Sequence, residues 1–150
     1  MRQLSILGLC LISAGASAAD ALPWAFVNGS ADGYSVELVS ASPKPGTPLC
    51  AASKLKFDIT VKYVLQIKEA GKIILVIQDD NDSKIDGVGP LQASKGISKG
   101  RGTVVISDIT QVPSSAKEVR LFIPVVPDGV EETDGELVLR YPISSCSKSE

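Results

Sequence analysis

The chain has 150 residues, 15 lysines and arginines against 17 aspartates and glutamates, and no histidine. A chain of that size holds one ordinary domain, and a formal net charge of −2 offers no basic excess of the kind a nucleic-acid partner demands. The missing histidine excludes the commonest general base, the Ser-His and Cys-His nucleophile systems, and most zinc sites.

Arg2, the apolar run Leu4 to Ile12 and the small residues Ala16-Ser17-Ala18-Ala19 predict a cleavable signal peptide over residues 1–19. Its apolar run is shorter than the roughly 20 residues of a membrane helix. The expected product is exported, periplasmic or extracellular, with no membrane insertion after cleavage. Losing Arg2 leaves 14 basic against 17 acidic residues, a net of −3. Cys10 leaves with the signal, so Cys50 and Cys146 remain as a single pair in an oxidising compartment, where a disulfide is expected. In the chain-entropy model, closing a loop of nearly 100 residues contributes about 4–5 kcal/mol. A redox pair would favour a close spacing such as Cys-x-x-Cys, and these two are far apart.

Residues 20–33 read as an N-terminal arm. It holds the only tryptophan, Trp24, and either packs on the domain or faces a ligand, the first being preferred. Strand signals begin at Tyr34, Val36 and Leu38, which alternate with Ser35, Glu37 and Val39. Ser42 to Pro48 is a proline-rich connector that no central strand could contain.

Then comes the strongest pattern in the chain. Leu55, Phe57, Ile59, Val61, Tyr63, Leu65 and Ile67 occupy every second position, the period of a strand with one buried face. Its wet face carries Lys54, Lys56, Lys62 and Lys68. That is either a weak basic stripe for an acidic partner or the charge with which strand edges are protected.

Lys68 to Lys72 reads as a hairpin loop with Gly71 at its tight position, and Ile73 to Ile77 as a buried strand. Asp79 to Pro90 is polar and turn-rich, and Gln92 to Gly96 suggests a short edge strand. Gly96 to Gly102 reads as a connector, Thr103 to Ser107 as a strand. Val119, Leu121, Ile123 and Val125 alternate in another, where Pro124 implies a sheet edge or a bulge. Leu137, Leu139, Tyr141 and Ile143 make the last strand, followed by a polar tail at 147–150.

Seven or eight strands without helical periodicity predict an all-β, antiparallel β-sandwich as a single domain over residues 34–146, with a closed barrel as the alternative. The alternation, Gly100-Arg101-Gly102-Thr103-Val104-Val105, and the stretch Pro113 to Pro124 resemble bacterial immunoglobulin-like and fibronectin type III-like modules. The resemblance spans roughly Tyr34 to Ile143 and implies an immunoglobulin-like sandwich with a role in adhesion, spacing or binding. The chain departs from the antibody arrangement, because Cys50 and Cys146 fall outside the strands and Trp24 precedes them all.

Among polar clusters, Asp79, Asp80, Asp82 and Asp86 form an oxygen-rich loop of the kind calcium uses. The EF-hand register fails, since Lys84 falls on a ligand position and no glutamate closes the loop. A solvated, turn-rich connection is the plainer reading. Two carboxylates can run glycoside hydrolysis without histidine, but no pair stands out by spacing. The expectation is a non-enzymatic binding or structural module needing no cofactor, whose partner is a protein or cell-envelope polymer and no nucleic acid. The alternative is a calcium- or carbohydrate-binding domain using the loop 79–87.

Overall fold

A computed structural model describes residues 24–87 and 93–146 of the chain. The expected signal peptide, the start of the expected arm, the polar tail, and parts of the Asp79–Pro90 stretch and of the expected Gln92–Gly96 strand lie outside these residues.

Nine strands and no helix appear among the described residues: β1 (Phe26–Val27), β2 (Gly29–Ala31), β3 (Tyr34–Ser42), β4 (Leu49–Cys50), β5 (Lys54–Ile74), β6 (Val76–Asp79), β7 (Ser94–Gln111), β8 (Glu118–Pro127) and β9 (Glu136–Ser144). They form one sheet in the order β1-β9-β8-β5-β3-β2, with β4 joined to β9, β6 to β8 and β7 to β5. Every pairing is antiparallel except the short β4–β9 contact. β1 and β2 end the order on opposite sides, yet only Asn28 separates them, so the sheet curls back on itself and is nearly barrel-shaped.

β5 organises the sheet. Asp58 to Leu65 pair with β3, and Gly71 to Ile73 pair with β8. The other edge carries β7 over most of its length. The chain then runs on into β6, which keeps the same register along β8 as the end of β5. The one interruption falls at Ile74–Leu75, where Leu75 N–H donates to the carbonyl of Ala93 at 2.7 Å. Pro124 lies across from that gap. Val125 N–H points to the β9 side, reaching Gly135 O at 3.3 Å, so the donor-less nitrogen of Pro124 faces the interruption. β8 is paired on both sides there, and Pro124 marks neither the sheet edge nor the bulge that the sequence implied.

The alternation read from the sequence sets the core. Val36, Leu38, Phe57, Ile59, Val61, Leu65, Leu121, Ile123, Leu137, Leu139 and Tyr141 are buried, each contributing roughly 1.5–3 kcal/mol by removal from water. Phe57 and Tyr141 pack with ring centroids 5.2 Å apart. Tyr141 Oη donates to Pro43 O at 2.9 Å, and burial pushes its phenol well above the ordinary range. Cys50 and Cys146 are bonded, their Cα atoms 5.2 Å apart across 96 residues, where β4 meets the end of β9.

Three stretches differ from their sequence reading. Lys68–Lys72 is no hairpin: β5 runs through it after a bulge, in which Gln66 to Glu69 stand opposite Lys99 alone. Gly71 serves close approach, because a Cβ there would lie 2.8 Å from the carbonyl oxygen of Val126. Gly96–Gly102 is strand, continuous with the residues after it. Gly102 lies beneath the Tyr63 ring, where a Cβ would come within 2.7 Å of it, and a glycine inside a strand marks such contacts. The arm enters the sheet as β1 and β2, while Trp24 stays 52% exposed.

Candidate functional site

The ribbon of β5 and β7 concentrates positive charge. Its 39 residues, 21 in β5 and 18 in β7, include Lys54, Lys56, Lys62, Lys68, Lys72, Lys95, Lys99 and Arg101 against Asp58, Glu69 and Asp108. The rest of the described chain carries an acidic excess, much of it in Asp128, Glu131, Glu132 and Asp134 of the β8–β9 connection and in Glu136 at the start of β9. The four lysines singled out on the wet face, Lys54, Lys56, Lys62 and Lys68, are all exposed.

Register fixes which side chains meet on the outer face. Ser35, Val64 and Arg101 form one cross-strand row, and Glu37, Lys62 and Thr103 the next. These residues, with Tyr63 and Gly102, line a shallow open groove of about 480 Å³. Among the described residues neither Lys62 nor Arg101 makes an ion pair, whereas Lys56 meets Asp58 at 2.9 Å and Lys99 meets Glu69 at 2.7 Å. The groove is lined by two cations, one carboxylate, Glu37, and the hydroxyls of Ser35, Tyr63 and Thr103.

β7 also presents an edge. Val112 N–H donates to Ser53 O at 2.8 Å, and Val112 O accepts from Ala52 N–H at 3.0 Å, so the backbone of Val112 faces β5. Backbone groups alternate sides along a strand, and the register with β5 is unbroken from Gly100 to Gln111. Gly102, Val104, Ile106, Asp108 and Thr110 therefore bond β5. Arg101, Thr103, Val105, Ser107, Ile109 and Gln111 direct their N–H and C=O groups away from it. Gly87 bridges to Thr110 at the far end. From Arg101 to Ser107 no strand among the described residues pairs with this edge. Val105 is 50% exposed there.

The acidic loop is organised differently. Asp79 Oδ1 accepts the N–H groups of Asn81 at 2.8 Å and Ser83 at 2.9 Å. Asp80 Oδ1 accepts Lys117 N–H at 2.9 Å, which holds its carboxyl below the ordinary range. Asp82 meets Arg120 at 2.9 Å and Asp86 meets Lys84 at 3.3 Å. The four carboxylates thus share no partner, and among the described residues no three Asp, Glu, Cys or His side chains gather as a metal site would need. Asp80 and Asp82 instead tie the loop to the start of β8.

One buried acid escaped the sequence reading. Asp108 sits across from Phe57 on the core side of β7. Burial raises its carboxyl, against the N–H of Ile109 that Oδ1 accepts at 2.7 Å. Arg101 was hidden inside a supposed connector, whereas Thr103 was read as the first residue of a strand that in fact begins at Ser94. The signal that could have found Arg101 is the run of β-branched residues Thr103 to Ile106 just after it, whose pairing with β5 extends back through Gly102 and Arg101.

No family model and no curated protein matches the chain. Among solved structures it is similar to "X-ray structure of Northeast Structural Genomics Consortium target SoR45", at a TM-score of 0.40 and 14% identity, over 81% of this chain and 95% of that one. A likeness so slight bears on neither fold nor function. No helix among the described residues is long and apolar enough to cross a membrane, and the Cys50–Cys146 bond is compatible with an oxidising, exported location.

Proposed function

We propose that the chain is an exported, non-enzymatic interaction module of the immunoglobulin-like sandwich type, whose β5–β7 ribbon contacts an anionic partner. The immunoglobulin-like reading rests on the sequence pattern and on two strand groups, β2-β3-β5-β7 and β6-β8-β9-β1, sharing one apolar core. The observation that carries the function is charge segregation: eight cations and three acids on one ribbon of a molecule that is acidic elsewhere. A field of one sign over one face steers an oppositely charged partner and is screened by salt.

Chromatography of the mature chain tests this. Despite its net charge of −3, it is expected to be retained by a cation exchanger at pH 7 and low salt, and released as salt rises. The triple variant Lys62→Glu, Lys95→Glu, Arg101→Glu is expected to pass through. Flow-through of the unmodified chain at low salt contradicts the reading.

A further inference from the structure

We propose that the open edge of β7 takes an extended acidic segment of a partner protein as an added β-strand. The proposal rests on the ribbon reading above and gives it a partner class and a binding mode. Three observations meet on one short stretch. The N–H and C=O groups of Arg101, Thr103, Val105 and Ser107 point away from β5 and lack a strand partner among the described residues. The stretch Thr103 to Ile106 is rich in β-branched residues and carries no charge. The outer-face groove begins immediately beside it, with Arg101 and Lys62 outside any ion pair among the described residues.

Edges that proteins protect against pairing carry lysine, proline or a bulge. On β7 the cations and glycines are confined to Lys95 through Gly102, and the following residues are bare of them. An added strand would satisfy the outward backbone groups by main-chain hydrogen bonds, with alternate side chains supplying selectivity. Charge settles the occupant. Antiparallel addition places successive outward side chains of the guest opposite Val105, Thr103 and Arg101 in that order. The guest that fits is an apolar residue, then a small polar one, then an acid, each two residues apart. A second copy pairing antiparallel through its own Arg101–Ser107 edge would set Ser107 opposite Arg101 and Ile109 opposite Lys99, leaving both cations without an acid.

The test uses the disulfide-bonded mature chain and a fluorescent, end-blocked nonapeptide alternating valine and threonine, with glutamates at its last two outward positions. Two controls replace the glutamates by lysines, or N-methylate the backbone positions that would donate to β7. Fluorescence anisotropy is expected to show binding that weakens at least about tenfold on N-methylation, the scale of one or two lost hydrogen bonds, and that the lysine peptide lacks. Amide exchange is expected to slow at Arg101, Thr103, Val105 and Ser107 on peptide addition. Val105→Pro removes one outward N–H without touching the β5 ladder and is expected to weaken binding. Because that variant could misfold, the N-methylated peptide stands as the independent control.

Equal binding of the N-methylated and parent peptides, or exchange protection elsewhere, overturns strand addition while cation-exchange retention leaves the ribbon reading standing. Absence of both peptide binding and retention removes both. Sedimentation showing a dimer that Val105→Pro dissolves would assign the edge to a second copy and overturn the proposal.

Discussion

β7 and β8 are both long strands, and they differ in everything that follows from having one neighbour or two. β8 is bonded to β9 on one edge and to β5 and β6 on the other. It reads Val-Arg-Leu-Phe-Ile-Pro-Val-Val from Val119 to Val126, and Val119, Leu121, Ile123 and Val125 are wholly buried. β7 is bonded along one edge, and its outward positions hold Arg101, Thr103, Val105 and Ser107. A strand paired on both sides spends its side chains on the core, whereas one with an open edge carries glycine, charge and unpaired backbone groups. Stability resides in β8, and the proposed capacity to bind in β7.

The contrast can be broken or sharpened by substitution. The largest effect is expected from the bond that ties β4 to the end of β9. Replacing Cys50 and Cys146 by serine opens a 96-residue separation and is predicted to cost about 4–5 kcal/mol by chain entropy, read from urea unfolding. An unchanged midpoint would show that this pole is held without it. Next, Leu121→Ala in β8 is predicted to cost about 2–5 kcal/mol, whereas Val105→Thr in β7 should stay within about 0.5 kcal/mol. Equal costs in the two strands would erase the distinction.

Smaller effects come from titration. The carboxyl of Asp108, raised by burial, keeps its proton in the folded chain where the unfolded chain, near the ordinary 3.8, has lost it. The folded state therefore binds more protons from about that pH up to the raised value, and stability falls as pH rises through this window. Asp108→Asn is predicted to raise the melting midpoint at neutral pH and flatten that slope; a lower midpoint would contradict the sign. Asp80 runs the other way. The Lys117 N–H holds its carboxyl low, so its contribution is present above 3.8 and lost as pH falls through the depressed value. Asp80→Asn is expected to lower the midpoint slightly at neutral pH and to make no difference in strong acid.

Much of the fold was legible because period two survives wherever one face meets the core. The alternation from Leu55 to Leu65, that of Val119 to Val125 and that of Leu137 to Tyr141 each became strand, and Cys50 and Cys146 found each other. What failed was local punctuation. Gly71 looks like a turn residue by propensity, but its missing Cβ lets the β8 backbone approach. Gly96, Gly100 and Gly102 look like a linker, but pairing with β5 overrides their weak strand preference. Ribbon and edge became visible only once β7 was continuous, since Arg101 and Thr103 belong to one surface only in the register with Val64 and Lys62. The acidic loop was legible in composition alone: its Asp side chains turn to separate backbone and cationic partners, an arrangement that spacing does not reveal.

The central claim, that β7 is open where β8 is closed, is most directly tested by residue-resolved amide hydrogen exchange on the free mature chain. Within β7 the amides of Val104 and Ile106 should exchange slowly and those of Arg101, Thr103, Val105 and Ser107 fast, in strict alternation, while every amide of β8 between Val119 and Ile123 is protected. Uniform protection from Arg101 to Ser107 would mean the edge is already occupied and would contradict the account.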